Sequence, residues 1–560
     1  MPVARTERTI RGARRPLAVF VAVAAVVVAL GAALAARQAE SAVLPNVVFI
    51  LTDDQTASEM AAMPNTQALI ANQGVSFNRA YASYPLCCPA RASLLSGRYM
   101  HNHGVRGNLD PLGGWSRFVP SEASALPVRT HQRGYYNVHV GKYMNGYTAT
   151  PIPRLYIPPG WDEWYGKVSS DPLLYFNYPM VEREGPGKEA KVVSYGGNPG
   201  DYATDVFRDK ALGFLRDVTG AQQPFMMNVW FNAPHGPFEP APRHLNVQSA
   251  TRLPNLPGFN EKDISDKPAW LRKQAKRRLG KGWRGLIATE RRRRYEQLLA
   301  VDEAVATIVN DLAGRGLLQN TYVIFASDNG YFRGEHRIAS GKYLPHDPSA
   351  RVPLMIRGPG IPVGVSEELV TLEDVAQTIL HISGGFDPAL DGRTLLPYAQ
   401  DPSRRSTRPI LLEADTGPGG GHGSFGQSRG EQAGTAAART GAAGRRGVSD
   451  LEQEPNPIAS RAIASGNSAP AYRAIRTNRY LYVLYANGQT ELYDMLKDPA
   501  QLTSVATDPR YGRVRKWLLN QLVPLSACAG DSCRLETGAE PGPRKGPGPK
   551  KRRGQTDLGA

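Results

Sequence analysis

The 560-residue sequence is poor in cysteine, with four in all. That excludes a small disulfide-stapled scaffold and leaves the fold to a large apolar core. It has a single long apolar run, at residues 17–36, which excludes a protein that crosses a bilayer several times. No internal repeat is present, so a repeat array is excluded. No recognised nucleic-acid-reading module occurs, and nucleic acid is not expected as a partner. Acidic residues are in deficit, giving a formal net charge of +17. A basic body suits an anionic substrate or an acidic surface, or reflects composition alone.

The first segment, 1–44, has the pattern of an export signal. Arginines (TIRGARRP) precede the apolar run LAVFVAVAAVVVALGAALAA, and small residues follow it. The run is long enough to span a bilayer, so it reads either as a cleaved signal peptide or as an anchor left in the membrane. In both cases the rest of the chain is expected outside the cytoplasm. In that setting Cys528 and Cys533, with four residues between them in SACAGDSCR, read as a disulfide. Cys87 and Cys88 are adjacent, and neighbours rarely pair with each other.

From Pro45 onward, apolar β-branched runs alternate with helical patterns. NVVFIL (46–51), YNVHVGK (136–142), PFMMNVWFNAPH (224–235), TYVIFASDNG (321–330) and VPLMIRGPG (352–360) read as strand-like runs. RRYEQLLAVDEAVATIVNDLAGRG (293–316) has helical spacing. The expected fold is α/β, a large and mostly parallel sheet flanked by helices, occupying 45–415. Residues 416–470 are Gly/Ala-rich and read as a flexible insertion. Strand-like alternation with an Asn487-Gly488 turn marks a small C-terminal antiparallel subdomain, 471–535. Residues 536–560 read as a disordered basic tail.

Polar residues cluster where the strands end: Asp53-Asp54, Lys142, His235 and Asp328-Asn329. Open α/β sheets bind ligands at the carboxyl ends of their strands, so segments far apart in sequence are expected to converge. Cys87 lies in YPLCCPARASLLSGRY (84–99). Pro89 suits a first helical turn, which puts Cys87 just before a helix N-terminus, with Arg91 one turn onward. A sulfur beside positive potential is a nucleophile setting, while a plain structural cysteine in a helix cap fits the same local pattern.

The Cys-x-Pro-x-Arg pattern resembles the sulfatase signature, whose first cysteine is oxidised to Cα-formylglycine. The resemblance extends over roughly 45–525: PNVVFILTDDQ, CCPARASLLSGRY, GKYMN, NAPHGP, SDNGY and ELYDMLKDP occur in the family's order. MHNHGV (100–105), GKYMN (141–145) and YIPPGWDEWYG (156–166) are most similar to the N-acetylglucosamine-6-sulfatase and heparan endosulfatase branch.

That resemblance implies an alkaline-phosphatase-like fold and a sulfuric ester hydrolase acting on sulfated small molecules or sulfated glycans. It implies Ca2+, or alternatively Mg2+, held by Asp53, Asp54, Asp328, Asn329 and the modified Cys87. One hydroxyl of the formylglycine hydrate attacks sulfur, and the other then collapses to the aldehyde and expels sulfate. Arg91, Lys142 and Lys342 hold the sulfate oxygens, and His235 protonates the departing alcohol. His336 is a further substrate-binding candidate. A formylglycine-generating enzyme is implied as the partner in maturation.

Two positions depart from the family's usual residues. Position 90 is Ala where many relatives have Ser. Met144 stands where many arylsulfatases have histidine, which leaves the base that regenerates the aldehyde open among His101, His103 and His139. The alternatives are a formylglycine-dependent phosphonate monoester or phosphodiester hydrolase on the same fold, and an unmatured surface protein that binds sulfated glycans. The basic segment 270–285 and the arginines at 291–294 read either as a rim that binds a sulfated polysaccharide or as a solvated loop and helix start.

Overall fold

The computed structural model describes Met1 and residues 44–546, apart from 110–112, 149–154, 170–173, 219–222, 248–255 and 416–468. The apolar run at 17–36, nearly all of the Gly/Ala-rich insertion and the last part of the basic tail lie outside the described residues. No helix among the described residues is long and apolar enough to cross a membrane. The chain from Pro45 onward forms a unit of its own.

The main sheet contains β1 (Asn46–Thr52), β2 (Val75–Tyr81), β3 (Tyr136–Lys142), β4 (Glu163–Lys167), β5 (Tyr178–Arg183), β6 (Lys191–Tyr195), β7 (Phe225–Trp230), β8 (Thr321–Ser327), β9 (Arg351–Val352), β10 (Leu354–Arg357) and β11 (Gly364–Thr371). Its order is β11-β2-β10-β8-β1-β7-β3-β4-β5-β6, with β9 paired to β2. The central strands β8, β1, β7 and β3 are mutually parallel. Every residue of β1, β7 and β8 is buried, as their unbroken apolar runs require. Fully burying a Val, Leu or Ile side chain contributes about 1.5–3 kcal/mol. β10 runs antiparallel to both β8 and β2, so the sheet is mixed.

One face of the sheet is covered by the helices Ala203–Asp217 and Lys281–Gly314, which supply Phe207, Val301 and Val305 to the core. The second helix is 34 residues long and starts twelve residues before the pattern at 293 predicts. The extra turns, KGWRGLIATERR, contain two glycines and little apolar periodicity, so the pattern does not reveal them.

A second sheet, antiparallel in the order β12-β13-β14-β15, comprises β12 (Ile410–Ala414), β13 (Tyr472–Arg476), β14 (Tyr480–Tyr485) and β15 (Thr490–Asp494). β12 precedes the long insertion and pairs with β13 after it. The helix Gly512–Leu525 packs on this sheet through Val514, Leu518 and Leu522. Cys528 and Cys533 form the expected disulfide, and Cys87 and Cys88 are both free thiols.

Behind the strand ends lies a buried ionic knot. Glu59 accepts from Arg294 and Arg333 at 2.7 and 2.8 Å. Arg294 donates onward to the backbone oxygen of Asp54 at 2.6 Å. Burial opposes ionisation of Glu59, but the two guanidinium groups outweigh it and hold the carboxyl at about 2. Arg294 is fully buried and Arg291 nearly so, so the arginine run is not a uniformly solvated face. Removing one partner of such a group leaves an uncompensated buried charge, at a cost of roughly 3–5 kcal/mol. Glu59→Ala is expected to lose about that much stability in urea unfolding at pH 7. The parent should lose the Glu59 contribution as pH falls from its ordinary carboxyl range toward about 2. A variant as stable as the parent would show that the knot is energetically idle.

Candidate active site

Four adjacent parallel strands deliver the site. β1 leads into Asp53 and Asp54, β8 leads into Asp328 and Asn329, and β3 ends at Lys142, while His235 lies on the turn after β7. Backbone bonds stitch these ends together: Asp53 N–H donates to the Ala233 oxygen, and Asp328 N–H to the Thr52 oxygen, each at 3.1 Å. Asp54 has φ +68°, a left-handed conformation that Asp tolerates better than most residues. Its N–H donates to Asp328 Oδ1 at 3.1 Å.

Cys87 is the first residue of the helix Cys87–Ser96, with Leu86 as the cap. It lies inside the first turn rather than before it. Ligand atoms of Asp53, Asp54, Cys87 and His235 lie within 4.8 Å of one another. The thiol donates to Asp53 Oδ1 at 3.4 Å. Lys342 Nζ contacts the sulfur at 2.8 Å and Asp54 Oδ1 at 2.6 Å. Lys142 Nζ contacts Asp53 Oδ2 at 2.6 Å. The convergence expected from the sequence is therefore present.

Arg91 is engaged within the protein. Nε donates to Asp328 Oδ2 at 2.9 Å, Nη1 to the Lys142 oxygen at 2.7 Å and Nη2 to Asp53 Oδ2 at 3.2 Å. It ties two carboxylates from different strands together with charge-assisted bonds. His235 donates from Nδ1 to the Gly236 oxygen at 2.6 Å, a bond that fixes its tautomer. Nε2 then faces the cluster, 3.7 Å from Asp54 Oδ2.

The electrostatics are strongly biased. Burial would raise the Asp53 carboxyl, but Lys142, His235, Arg91 and Lys342 hold it below the usual range. Asp328 is raised to about 6, by burial first and then by the charge of Asp53. The Cys87 thiol is pushed up to about 11, again by burial first and then by Asp53. At neutral pH this sulfur remains a thiol and is a poor nucleophile.

The donor set fits a hard divalent cation. Three carboxylates and an amide offer oxygen only. Asp54 Oδ2 and Asn329 Oδ1 are buried without a hydrogen-bond partner. The amide of Asn329 is oriented by its Nδ2, which donates to the Gly330 oxygen at 2.9 Å. Buried lone pairs left this way are costly unless something else satisfies them.

The other histidines are placed elsewhere. His336 Nδ1 donates to Glu261 Oε2 at 2.7 Å, and the ring lies near His346 and lines a cavity of about 250 Å3 with Thr56, Arg333 and Asp347. Burial and the neighbouring His346 hold its ring at about 3. His101 is bonded to Glu413 and the Cys528 oxygen, and His103 to Ser93 and the Val105 N–H. His139 lies among Trp161, Trp164 and Trp230. Burial, followed by Arg91, lowers it to about 3. None of these three has a ring-nitrogen contact to Cys87 among the described residues. Cys88 accepts the Asn145 N–H at 3.2 Å and has a structural place.

Glu59, Arg294 and Arg333 support the site without having stood out in the sequence. Arg294 stands in a basic run that resembles a solvated surface. The signal that could have revealed it is its helical spacing to Leu298 and Val301 on the buried face.

The Sulfatase family model matches residues 45–385, more than half of the chain. The chain belongs to the sulfatase family. Human N-acetylglucosamine-6-sulfatase is 31% identical over 530 residues, 90% of this chain and 88% of that protein. The extracellular sulfatase SULF-1 homolog of Drosophila melanogaster is 34% identical over 361 residues, 63% of this chain and 31% of the relative. The chain thus spans about a third of that protein, and 48% of a Caenorhabditis elegans Sulf-1 homolog to which it is 36% identical. Among solved structures, a protein in complex with its substrate D-glucosamine-2-N,6-O-disulfate superposes with a TM-score of 0.64 at 22% identity, covering 86% of this chain and 97% of that one. The phosphonate monoester hydrolase of Agrobacterium radiobacter gives 0.60 at 22% identity, covering 86% and 95%. The sulfatase chain has the alkaline-phosphatase-like fold these neighbours share.

Asp54→Asn and Asn329→Ala should each weaken calcium binding at least tenfold in calorimetry while leaving the far-ultraviolet spectrum unchanged. A protonated carboxyl does not bind a cation, so affinity in the parent should fall as pH drops below about 6, where Asp328 takes up its proton. Affinity that is flat from pH 7.5 to pH 5 would contradict the assignment of Asp328.

Proposed function

We propose that the chain is an extracytoplasmic sulfatase that hydrolyses sulfate monoesters of sugars, using a formylglycine made from Cys87. The observation that carries this reading is the meeting at one point of Cys87 with Asp53, Asp54 and His235, with Lys342 on the sulfur and Lys142 on Asp53. The human N-acetylglucosamine-6-sulfatase and the extracellular sulfatase relatives support a sulfated sugar as the substrate class. The extracellular name of the Drosophila relative also supports export, for which the apolar run at 17–36 would serve as signal or anchor.

As its hydrate, formylglycine at position 87 would supply an oxygen nucleophile where the buried thiol is inert. A divalent cation, with Ca2+ favoured and Mg2+ the alternative, would be held by Asp53, Asp54, Asp328 and Asn329, and would act as a Lewis acid on oxygens beside residue 87. The remaining chemistry belongs to side chains of this chain. Lys142 and Lys342 flank residue 87 with fixed positive charge and hold the anionic ester oxygens. Arg91 keeps Asp53 and Asp328 in register and adds its own positive field. His235, when protonated on both ring nitrogens, gives its Nε2 proton to the departing alcohol oxygen and returns to the Nδ1–H form that Gly236 holds. The N-terminus of the helix Cys87–Ser96 adds a further favourable dipole.

Mass spectrometry of the tryptic peptide containing residue 87, from protein made with a formylglycine-generating enzyme, should show a loss of about 18 Da against the thiol form. Cys87→Ala should lower kcat/KM on N-acetylglucosamine-6-sulfate by about 1,000-fold or more, and Lys342→Ala by about 100-fold. Faster turnover of an aryl phosphodiester than of any sulfate ester would move the assignment to the phosphodiester hydrolases of this fold. An unmodified Cys87 with undiminished glycan binding would make the protein a lectin.

A further inference from the structure

Residues 270–284 contain seven cations and no acid. Six of them, Arg272, Lys273, Lys276, Arg277, Lys281 and Arg284, are exposed. Arg278 is exposed too, and donates to the Asn260 oxygen. The salt bridges nearby use Lys267, Arg292 and Arg293 instead. Among the described residues, none involves the seven. These charges are therefore not neutralised by the protein's own carboxylates, unlike the arginines of the buried knot.

The segment is held firmly in place. Leu271 and Ala275 are buried with Ile264 against the partly buried Trp270 and Ile338, and the Trp270 ring meets Tyr485 of β14 at 5.6 Å. Arg337 donates to the backbone oxygens of Glu261, Lys262 and Ala275. Arg337 lies on the loop that continues to Lys342, so the basic segment is fastened to the chain that carries a substrate-holding lysine. Trp270 also packs against the apolar cluster that includes Tyr343.

We propose that this strip is a docking surface for a sulfated polysaccharide, engaging sulfates along the polymer while one ester occupies the site at residue 87. The inference rests on the sulfatase reading above and extends it from a sulfated sugar to a polymeric one. A row of unpaired cations on a fixed frame attracts a polyanion over a Debye length and loses that attraction in salt. A sulfated glycan is the fitting polyanion because the loop bearing the strip's anchor also bears Lys342.

Two variants of the full chain test the strip, K273E/K276E/R277E on its first part and K281E/R284E on the following helix start. Binding is measured by calorimetry with a heparin decasaccharide, and turnover with N-acetylglucosamine-6-sulfate. Both variants should bind heparin at least tenfold more weakly than the parent at low ionic strength, with the difference shrinking in about 0.3 M salt. Their turnover of the monosaccharide should be unchanged. Heparin affinity equal to the parent's in both variants would overturn the proposal. So would equal parental affinity for single-stranded DNA or phosphatidylserine vesicles at matched charge. Loss of heparin binding in a chain that turns over no sulfate ester would uphold the strip and remove the catalytic reading, so the two can fail separately.

Discussion

The structure is organised around a charge balance that no single strand could provide. Three aspartates and an asparagine meet at the ends of two central strands, against Arg91, Lys142 and Lys342 from a helix, a third strand and a loop. Each carboxylate would be costly to bury alone. Together with the cations they make a site in which fixed positive charge and unsatisfied oxygen lone pairs face one residue, Cys87. The parallel sheet makes this possible because its strands end side by side, and hydrogen bonds from Asp53 and Asp328 to neighbouring backbone lock the ends in register.

Outward from the site, the supporting layers have distinct tasks. Glu59, Arg294 and Arg333 brace the left-handed turn at Asp54 from behind. The antiparallel sheet braces the Lys342 loop, which has His336, Arg337 and Tyr343 at positive φ. Tyr472 donates to the Tyr343 oxygen at 2.6 Å, and His346 meets Glu491 at 3.1 Å. Residues in such conformations persist when their surroundings over-determine them. The C-terminal sheet thus contributes to the geometry of a site whose chemistry lies in the larger sheet.

Much of this was legible in the sequence, for identifiable reasons. A strand buried on both faces has to be apolar throughout, so NVVFIL and TYVIFAS declared themselves, and the acids after them marked the strand ends. Cys87, Pro89 and Arg91 carry local helix-start chemistry that needs no tertiary knowledge. What escaped was non-local. β12 pairs with β13 across more than fifty intervening residues, a distance over which pattern alone cannot assign a partner. Arg294 reads like its exposed neighbours until the face of its helix is known. His139 alternates within a strand like any polar residue, and only the sheet order places it among three tryptophans. Asp54 and Asn329 mark strand ends in the sequence, but the unsatisfied state of their oxygens is visible only in three dimensions.

The central claim is that oxygens of Asp53, Asp54, Asp328 and Asn329 hold one cation against a matured residue 87. The most direct measurement is the electron density of the formylglycine-bearing protein crystallised with saturating calcium. The account predicts one strong peak bonded to those four side chains at about 2.3–2.6 Å, with density for residue 87 reaching it. A calcium-saturated crystal with no peak there, or with its cation bound by other residues, would contradict it.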